Sequence, residues 1–168
     1  MPEYTHIKRQ FGPVYDENSK ILILGSFPSV KSREANFYYG HPQNRFWPLL
    51  SHILECEAPD STEKKKALLL KNRIALWDTL DSCDIIGSSD SSIKNAVPVD
   101  IMQILNAARI EKIFCNGGTS HSLFLKYLTP VCGIIPVKLP STSPANAAWS
   151  ADRLYTEWKQ ILGFLEKN

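Results

Sequence analysis

The chain has 168 residues, 43% of them hydrophobic and 21% charged, which suits one globular domain over residues 1–168 and excludes a disordered or fibrous protein. Lys and Arg number 19 against 17 Asp and Glu, and a net charge of +2 excludes a polybasic binder living on long-range attraction to phosphate. No apolar run approaches the roughly 18–20 residues that span a bilayer, and the N-terminus MPEYTHIKRQ lacks the apolar stretch of a signal peptide. The cysteines, at 56, 83, 115 and 132, form no CxxC pair. The expectation is a cytoplasmic protein with reduced, mostly buried thiols and no metal or cofactor.

In chain order, KILILG (20–25) is a short apolar run ending at glycine, as a buried strand does. Residues 26–44 mix Ser, Pro, Asn, Gly and aromatics without a clean period and read as a long loop. Phe46, Leu49, Leu50, Ile53 and Leu54 then repeat at helical spacing, with Pro48 tolerated in the first turn. Asp60 and Glu63 look like a capping box opening a helix through Ala67–Leu70, which makes Lys64–Lys66 a solvated face. RIALW (73–77) is a second strand, and the Ser- and Asp-rich residues 78–96 read as a loop. A helix follows over 99–109, with Asp100 as an early-turn acid. KIFCNGG (112–118) is a third strand ending in a glycine pair, succeeded by a short helix. IIPVKLP (134–140) is a fourth, and Ser150 caps a last helix whose Leu154, Trp158, Ile161, Leu162 and Leu165 share one face. Strands alternating with helices predict an α/β fold, a three-layer α/β/α sandwich around a mostly parallel four-stranded sheet. Ligands in such sheets bind at the carboxyl ends of the strands, here the loops at 25–45, 77–96, 116–119 and 140–149.

Two of those loops carry the chemistry. The first is GSFPSVKSREANFYYGHPQNRFW (25–47) and the second LPSTSPANA (139–147), each directly after a predicted buried strand. They resemble the signature motifs of the uracil-DNA glycosylase superfamily. The aromatic-His-Pro-x-Asn-Arg-Phe-Trp stretch is similar to the mismatch-specific uracil and thymine enzymes. The combination of GSFPS, YYGHPQN and PSTSPAN most resembles the hypoxanthine-DNA glycosylase branch. The resemblance runs from about residue 20 to the C-terminal helix.

It implies a base-excision enzyme acting on double-stranded DNA that contains a deaminated base, most closely hypoxanthine. Such an enzyme takes the nucleotide out of the stack at a cost of a few kcal/mol and regains energy by stacking the base on an aromatic ring. The resemblance gives Tyr39 that stacking role, with Phe27 as a second wall, while Phe46 and Trp47 read as core. Phe27 stands where many relatives place the Asp or Asn that positions water, and the resemblance then gives the catalytic role to Asn44. An Asn amide holds a water or bonds the leaving base without adding charge; Asn44 is equally suited to capping the helix that begins near Arg45. No carboxylate base is expected, so departure of the purine and an oxocarbenium-like sugar lead the reaction.

Ser26 and His41 are further base-binding candidates, although His41 serves equally to fix the loop. Ser29, Lys31, Ser141, Ser143 and Asn146 are candidate DNA contacts, Asn146 lying where relatives insert a wedge; for the serines, ordinary turn chemistry is the simpler alternative. Asn116-Gly117-Gly118 either brings backbone close to DNA or turns the chain. Ile93, Lys94 and Asn95 are placed to border the pocket. No lysine stands out as a Schiff-base nucleophile, which implies a monofunctional enzyme; the expectation is that it is a monomer. Three alternatives stay open: a mismatch-specific uracil or thymine glycosylase, a non-catalytic module for damaged DNA, and a hydrolase using Ser26 or Ser29 with His41. GSFPS lacks the G-x-S-x-G elbow that the last would need. The motif-bearing stretches 18–54 and 112–151 each sum to +3 and the remainder to −4, which predicts modest phosphate binding with weak salt dependence.

Overall fold

The computed structural model describes residues 3–165. Two sheets organise them. The elements are β1 (Thr5–Lys8), β2 (Ile21–Gly25), α1 (Val30–Ala35), α2 (Phe46–Ile53), α3 (Thr62–Lys71), β3 (Ile74–Asp78) and β4 (Leu80–Ile85). There follow β5 (Lys94–Pro98), α4 (Met102–Ala107), β6 (Lys112–Asn116), α5 (Gly118–Leu123), α6 (Thr129–Cys132), β7 (Val137–Leu139), α7 (Ala151–Trp158) and α8 (Leu162–Leu165).

The main sheet has four strands in the order β3-β2-β6-β7, every pairing parallel. All five residues of β2 and of β3 are buried, as expected when helices cover both faces. The chain steps from β2 to β3 on one side, then returns past β2 to β6 and β7. With right-handed crossovers, that reversal puts α1–α3 on one face and α4–α5 on the other, so the α/β sandwich anticipated from the strand pattern is observed. Where the order reverses, the loops after β2 and β6 part and leave a crevice.

Ile21–Leu24, Phe46, Leu50, Phe114, Leu154 and Trp158 share one core. Each fully buried aliphatic or aromatic side chain contributes about 1.5–3 kcal/mol. Ser150 does cap α7, its side chain accepting from the Arg153 amide. No helix of the described residues is long and apolar enough to cross a membrane.

Several local expectations are corrected. Residues 78–96 are not a loop: β4 pairs antiparallel with β1 and β5 in a second, three-stranded sheet. The segment 26–44 contains α1, capped by Ser29. The α3 cap is Ser61, which accepts from the Lys64 amide, while Asp60 instead pairs with the Lys64 ammonium at 2.9 Å. Asp100 precedes its helix, which starts at Met102. Of the cysteines, Cys83 and Cys115 are buried, Cys132 is partly covered and Cys56 is exposed.

Candidate active site

A cavity of about 380 Å³ opens at the carboxyl ends of the parallel strands, a size typical of small-molecule sites. Its walls come from all four loops that the strand pattern had placed on this rim: Gly25–Ser29 with Tyr38, Tyr39, His41 and Asn44, Asp78 with Ser88 and Asp90, Asn116, and Ser141–Ala145.

Aromatic rings form two of the walls. Tyr39 adopts φ 53°, a left-handed conformation uncommon for a bulky residue and held only where the surroundings enforce it. Its ring lies on Phe46, with centroids 4.1 Å apart and planes 23° apart, and Phe46 abuts Trp158 edge-on at 6.0 Å. Phe46 and Trp47 are therefore core residues, as their helical spacing implied, and Phe46 backs the Tyr39 ring. Among the described residues the buried Tyr39 hydroxyl has no hydrogen-bond partner, and burial pushes the phenol well above its ordinary pKa. Phe27, 8% exposed, packs with Leu80, Cys83 and Ile85. The second sheet thus supports this wall.

Asn44 sits in a fixed polar relay. Its Oδ1 accepts from the Phe46 amide at 2.9 Å, which caps the start of α2, and from Thr142 Oγ1 at 2.9 Å. Thr142 is fully buried; its Oγ1 accepts from Asn116 Nδ2 at 3.0 Å and its amide donates to Asn116 Oδ1 at 3.0 Å. The Phe46 N–H demands an oxygen, so the amide flip is determined: Asn44 presents its NH2 to the cavity as a donor. The N-cap residue of α2 is Arg45, without a side-chain cap bond, so Asn44 serves the helix start from the position before it.

Carboxylates line the cavity, against expectation. Asp78, at the end of β3, is 4% exposed and paired with Arg9 at 2.5 Å. Burial pushes its carboxyl up and Arg9 pulls it back. Asp90 accepts from Ser26 Oγ at 2.9 Å; desolvation raises its pKa and this bond opposes the rise. The stretch after β4 reaches the cavity through Ser88 and Asp90, not through Ile93, Lys94 or Asn95.

The remaining candidates divide. His41 lines the cavity, and its Nδ1 accepts from the Gln43 amide at 3.0 Å, which leaves the Nε2 proton free to donate. Ser29, Ser141 and Ser143 also line it, but their hydroxyls accept from the amides of Ser32, Ser143 and Ala145, the turn chemistry weighed against phosphate contact. Lys31 does not line the cavity and pairs with Glu34 at 3.3 Å. Asn146 is a strut rather than a wedge: its Nδ2 donates to the Ser141 carbonyl and its own carbonyl accepts from Arg45. Arg45 also donates to the Trp149 carbonyl, so its charge ties the two motif loops together. Gly117, at φ 97°, lets Ser141 approach: an added Cβ would lie 3.1 Å from the Ser141 Cβ.

Thr142, Asp78, Asp90 and Arg9 escaped the sequence reading. Asp78 had a signal, an acid directly after an apolar strand on the binding rim. Arg9 had none.

The sequence model of the Uracil DNA glycosylase superfamily matches residues 13–163. A hypoxanthine DNA glycosylase of Methanosarcina acetivorans is 36% identical over 156 residues, 92% of this chain and 98% of the relative. One from Methanosarcina barkeri is 42% identical over 116 residues, 67% of this chain and 73% of the relative. A solution NMR structure of a candidate uracil DNA glycosylase from Methanosarcina acetivorans superposes with a TM-score of 0.82 at 35% identity, covering 97% of this chain and 100% of that one.

Proposed function

The chain belongs to the uracil DNA glycosylase superfamily, and from that premise we propose that it excises hypoxanthine flipped out of duplex DNA and leaves an abasic site. The observation that carries this reading is the cavity that faces one aromatic ring and one oriented amide donor, Tyr39 and Asn44. The base stacks on Tyr39, which Phe46 keeps from yielding; such stacking contributes about 1–3 kcal/mol.

Asn44 is the catalytic residue of this reading. Both of its recorded oxygen contacts are internal, so it acts as a donor and does not take a proton from water. As the C1′–N9 bond breaks, its electron pair passes to the purine, and the Asn44 NH2 stabilises the charge arriving there. Water adds to C1′ and its proton ends on the departing base. The Asp90 carboxylate, which lines the cavity without a cationic partner among the described residues, favours the positive charge that develops on the sugar. His41 Nε2 is a second donor toward base or phosphate. No lysine lines the cavity among the described residues, which supports a monofunctional enzyme. On this reading the enzyme acts as a monomer on chromosomal DNA in the cytoplasm.

Labelled duplexes carrying deoxyinosine, deoxyuridine or a G·T pair, incubated with protein and then heated in alkali, test the reading. Alkali-dependent cleavage at deoxyinosine is expected. Cleavage confined to deoxyuridine or G·T would replace it with the mismatch reading, and affinity without cleavage with a binding module. Asn44→Ala is expected to lose at least about 100-fold in single-turnover rate, the scale of one transition-state donor, while DNA affinity holds. Borohydride should trap no adduct.

A further inference from the structure

We propose that Arg45 is a positioning residue for DNA engagement: it holds the turns Ser143–Trp149, beside the cavity, in one shape before DNA arrives. The inference rests on the base-excision reading and adds the device that keeps this part of the DNA-facing surface rigid.

The segment is two β-turns in tandem. The first, Ser143–Asn146, is closed by the Asn146 amide donating to the Ser143 carbonyl at 3.0 Å. The second, Asn146–Trp149, is closed by the Trp149 amide donating to the Asn146 carbonyl at 3.1 Å. Turns that share a residue in this way set carbonyls at every third position: 143, 146 and 149. All three accept from one guanidinium. Arg45 Nη2 donates to Ser143 at 3.4 Å and to Asn146 at 3.0 Å, and Nη1 donates to Trp149. The Arg45 amide adds a bond to the Thr142 carbonyl at 3.1 Å. Among the described residues no carboxylate pairs with Arg45. Its charge therefore rests on the loop, in bonds roughly twice as strong as neutral ones, and a planar five-donor fork can span three acceptors where an ammonium cannot.

Little else holds the turns. Ala145, Ala147 and Ala148 are exposed and Trp149 is only half-buried, so the segment buries almost no apolar surface of its own. The Ser143 and Ala145 amides bond serine hydroxyls two residues back, and Asn146 Nδ2 bonds the Ser141 carbonyl, all within the segment or next to it. Arg153, over the Trp149 ring at 4.0 Å, steadies one end. Without Arg45 the turns would have to be ordered when DNA binds, and each residue so ordered weakens affinity by about 5- to 30-fold. Ser143, Pro144 and Ala145 line the cavity, as does Asn44, the residue before Arg45. One dipeptide thus supplies a donor to the cavity and fixes another of its walls.

The test joins hydrogen exchange in the free protein to DNA affinity. Arg45→Met keeps the stem and removes the fork. Its Asn146 and Trp149 amides should exchange at least about 10-fold faster than in wild type, while β2 and β6 amides keep their rates. Affinity for a duplex carrying a tetrahydrofuran abasic analogue should fall by about 5- to 30-fold. A second variant separates rigidity from charge. Proline suits the second position of a turn, and Pro144 already holds it in the first. Ala147 holds it in the second, at negative φ, and among the described residues no acceptor takes its N–H. Adding Ala147→Pro to Arg45→Met stiffens the turns without restoring charge and should regain about two- to fivefold in affinity. Unchanged exchange at Asn146 and Trp149, or no recovery with proline, overturns the proposal. An affinity loss with a salt slope shallower by about one also overturns it, because Arg45 would then be a phosphate contact. Should Arg45→Met not fold, Arg45→Lys is read by the same outcomes. Wild-type protein inert toward deoxyinosine would strike the base-excision reading itself, a separate outcome, since neither measurement needs a cleavable base.

Discussion

Replacing Thr142 by valine keeps the side-chain shape and removes one hydroxyl from the relay behind Asn44. That hydroxyl donates to Asn44 Oδ1 and accepts from Asn116 Nδ2, and its residue is fully buried. The loss leaves a part-buried Asn116 N–H without its partner, which costs about 1–3 kcal/mol. For a chain of this size each kcal/mol lowers Tm by about 2–4 °C, so a fall of about 4–8 °C is expected near the middle of that range. Asn44 keeps its bond from the Phe46 amide but loses the partner that stops its plane from rocking. If half of the cost falls on alignment of the amide in the transition state, excision slows by about 5-fold. Single-turnover excision of deoxyinosine, DNA affinity and thermal melting are measured on Thr142→Val and Thr142→Ser. The serine variant, which retains the hydroxyl, should recover most of the rate, and affinity should barely move. A valine variant that melts lower yet excises within twofold of wild type would refute the idea that Thr142 aims Asn44.

Gly25→Ala should destabilise by about 1–3 kcal/mol, as overpacking does, because its Cβ would meet Asp78 Oδ1 at 2.4 Å and Tyr39 Oη at 3.2 Å; a normal melting temperature would mean that the carboxylate moves freely. Salt dependence of DNA affinity should be shallow, with a log–log slope of about −2 to −3, since Arg45 is spent on loop carbonyls and Lys31 on Glu34. A slope steeper than about −5 would contradict it. Alkylation followed by mass spectrometry should label Cys56 first. Burial pushes the Cys83 thiol up to about 11 and the Cys115 thiol up to about 12, so early label on either would indicate an open core.

The parallel sheet was legible because its strands are buried on both faces and announce themselves as apolar runs. The strands of the smaller sheet did not. LDSCDI and KNAVP alternate polar residues because that sheet is only partly covered, and β5 is mostly exposed. Helix α1 has a single buried residue, Ser32, and so no apolar stripe to detect. Tyr39, Phe27 and Asn44, which line the cavity, could be singled out because they stand within one contiguous motif. The partners that orient them stand far off in sequence: Thr142 bonds Asn44 across 98 positions and Asn116 across 26, and Arg9 meets Asp78 across 69. Serine hydroxyls beside strand ends misled for the opposite reason. Their nearest amides are two or three residues away, and local turns claimed them first.

The strand that ends at Arg9 also bears on how the protein is handled in the laboratory. Trimming expression boundaries to residues 13–163, the stretch that the family model matches, would discard residues 5–9 while sparing the parallel sheet and both loops. Such a product would keep the Tyr39 platform and the Asn44 donor, but the buried Asp78 carboxylate would have lost its counterion. It would also strip an edge from β4, whose side chains back the Phe27 wall. A bulky fusion placed against residues 3–9 carries the same hazard, so affinity tags are better appended beyond α8.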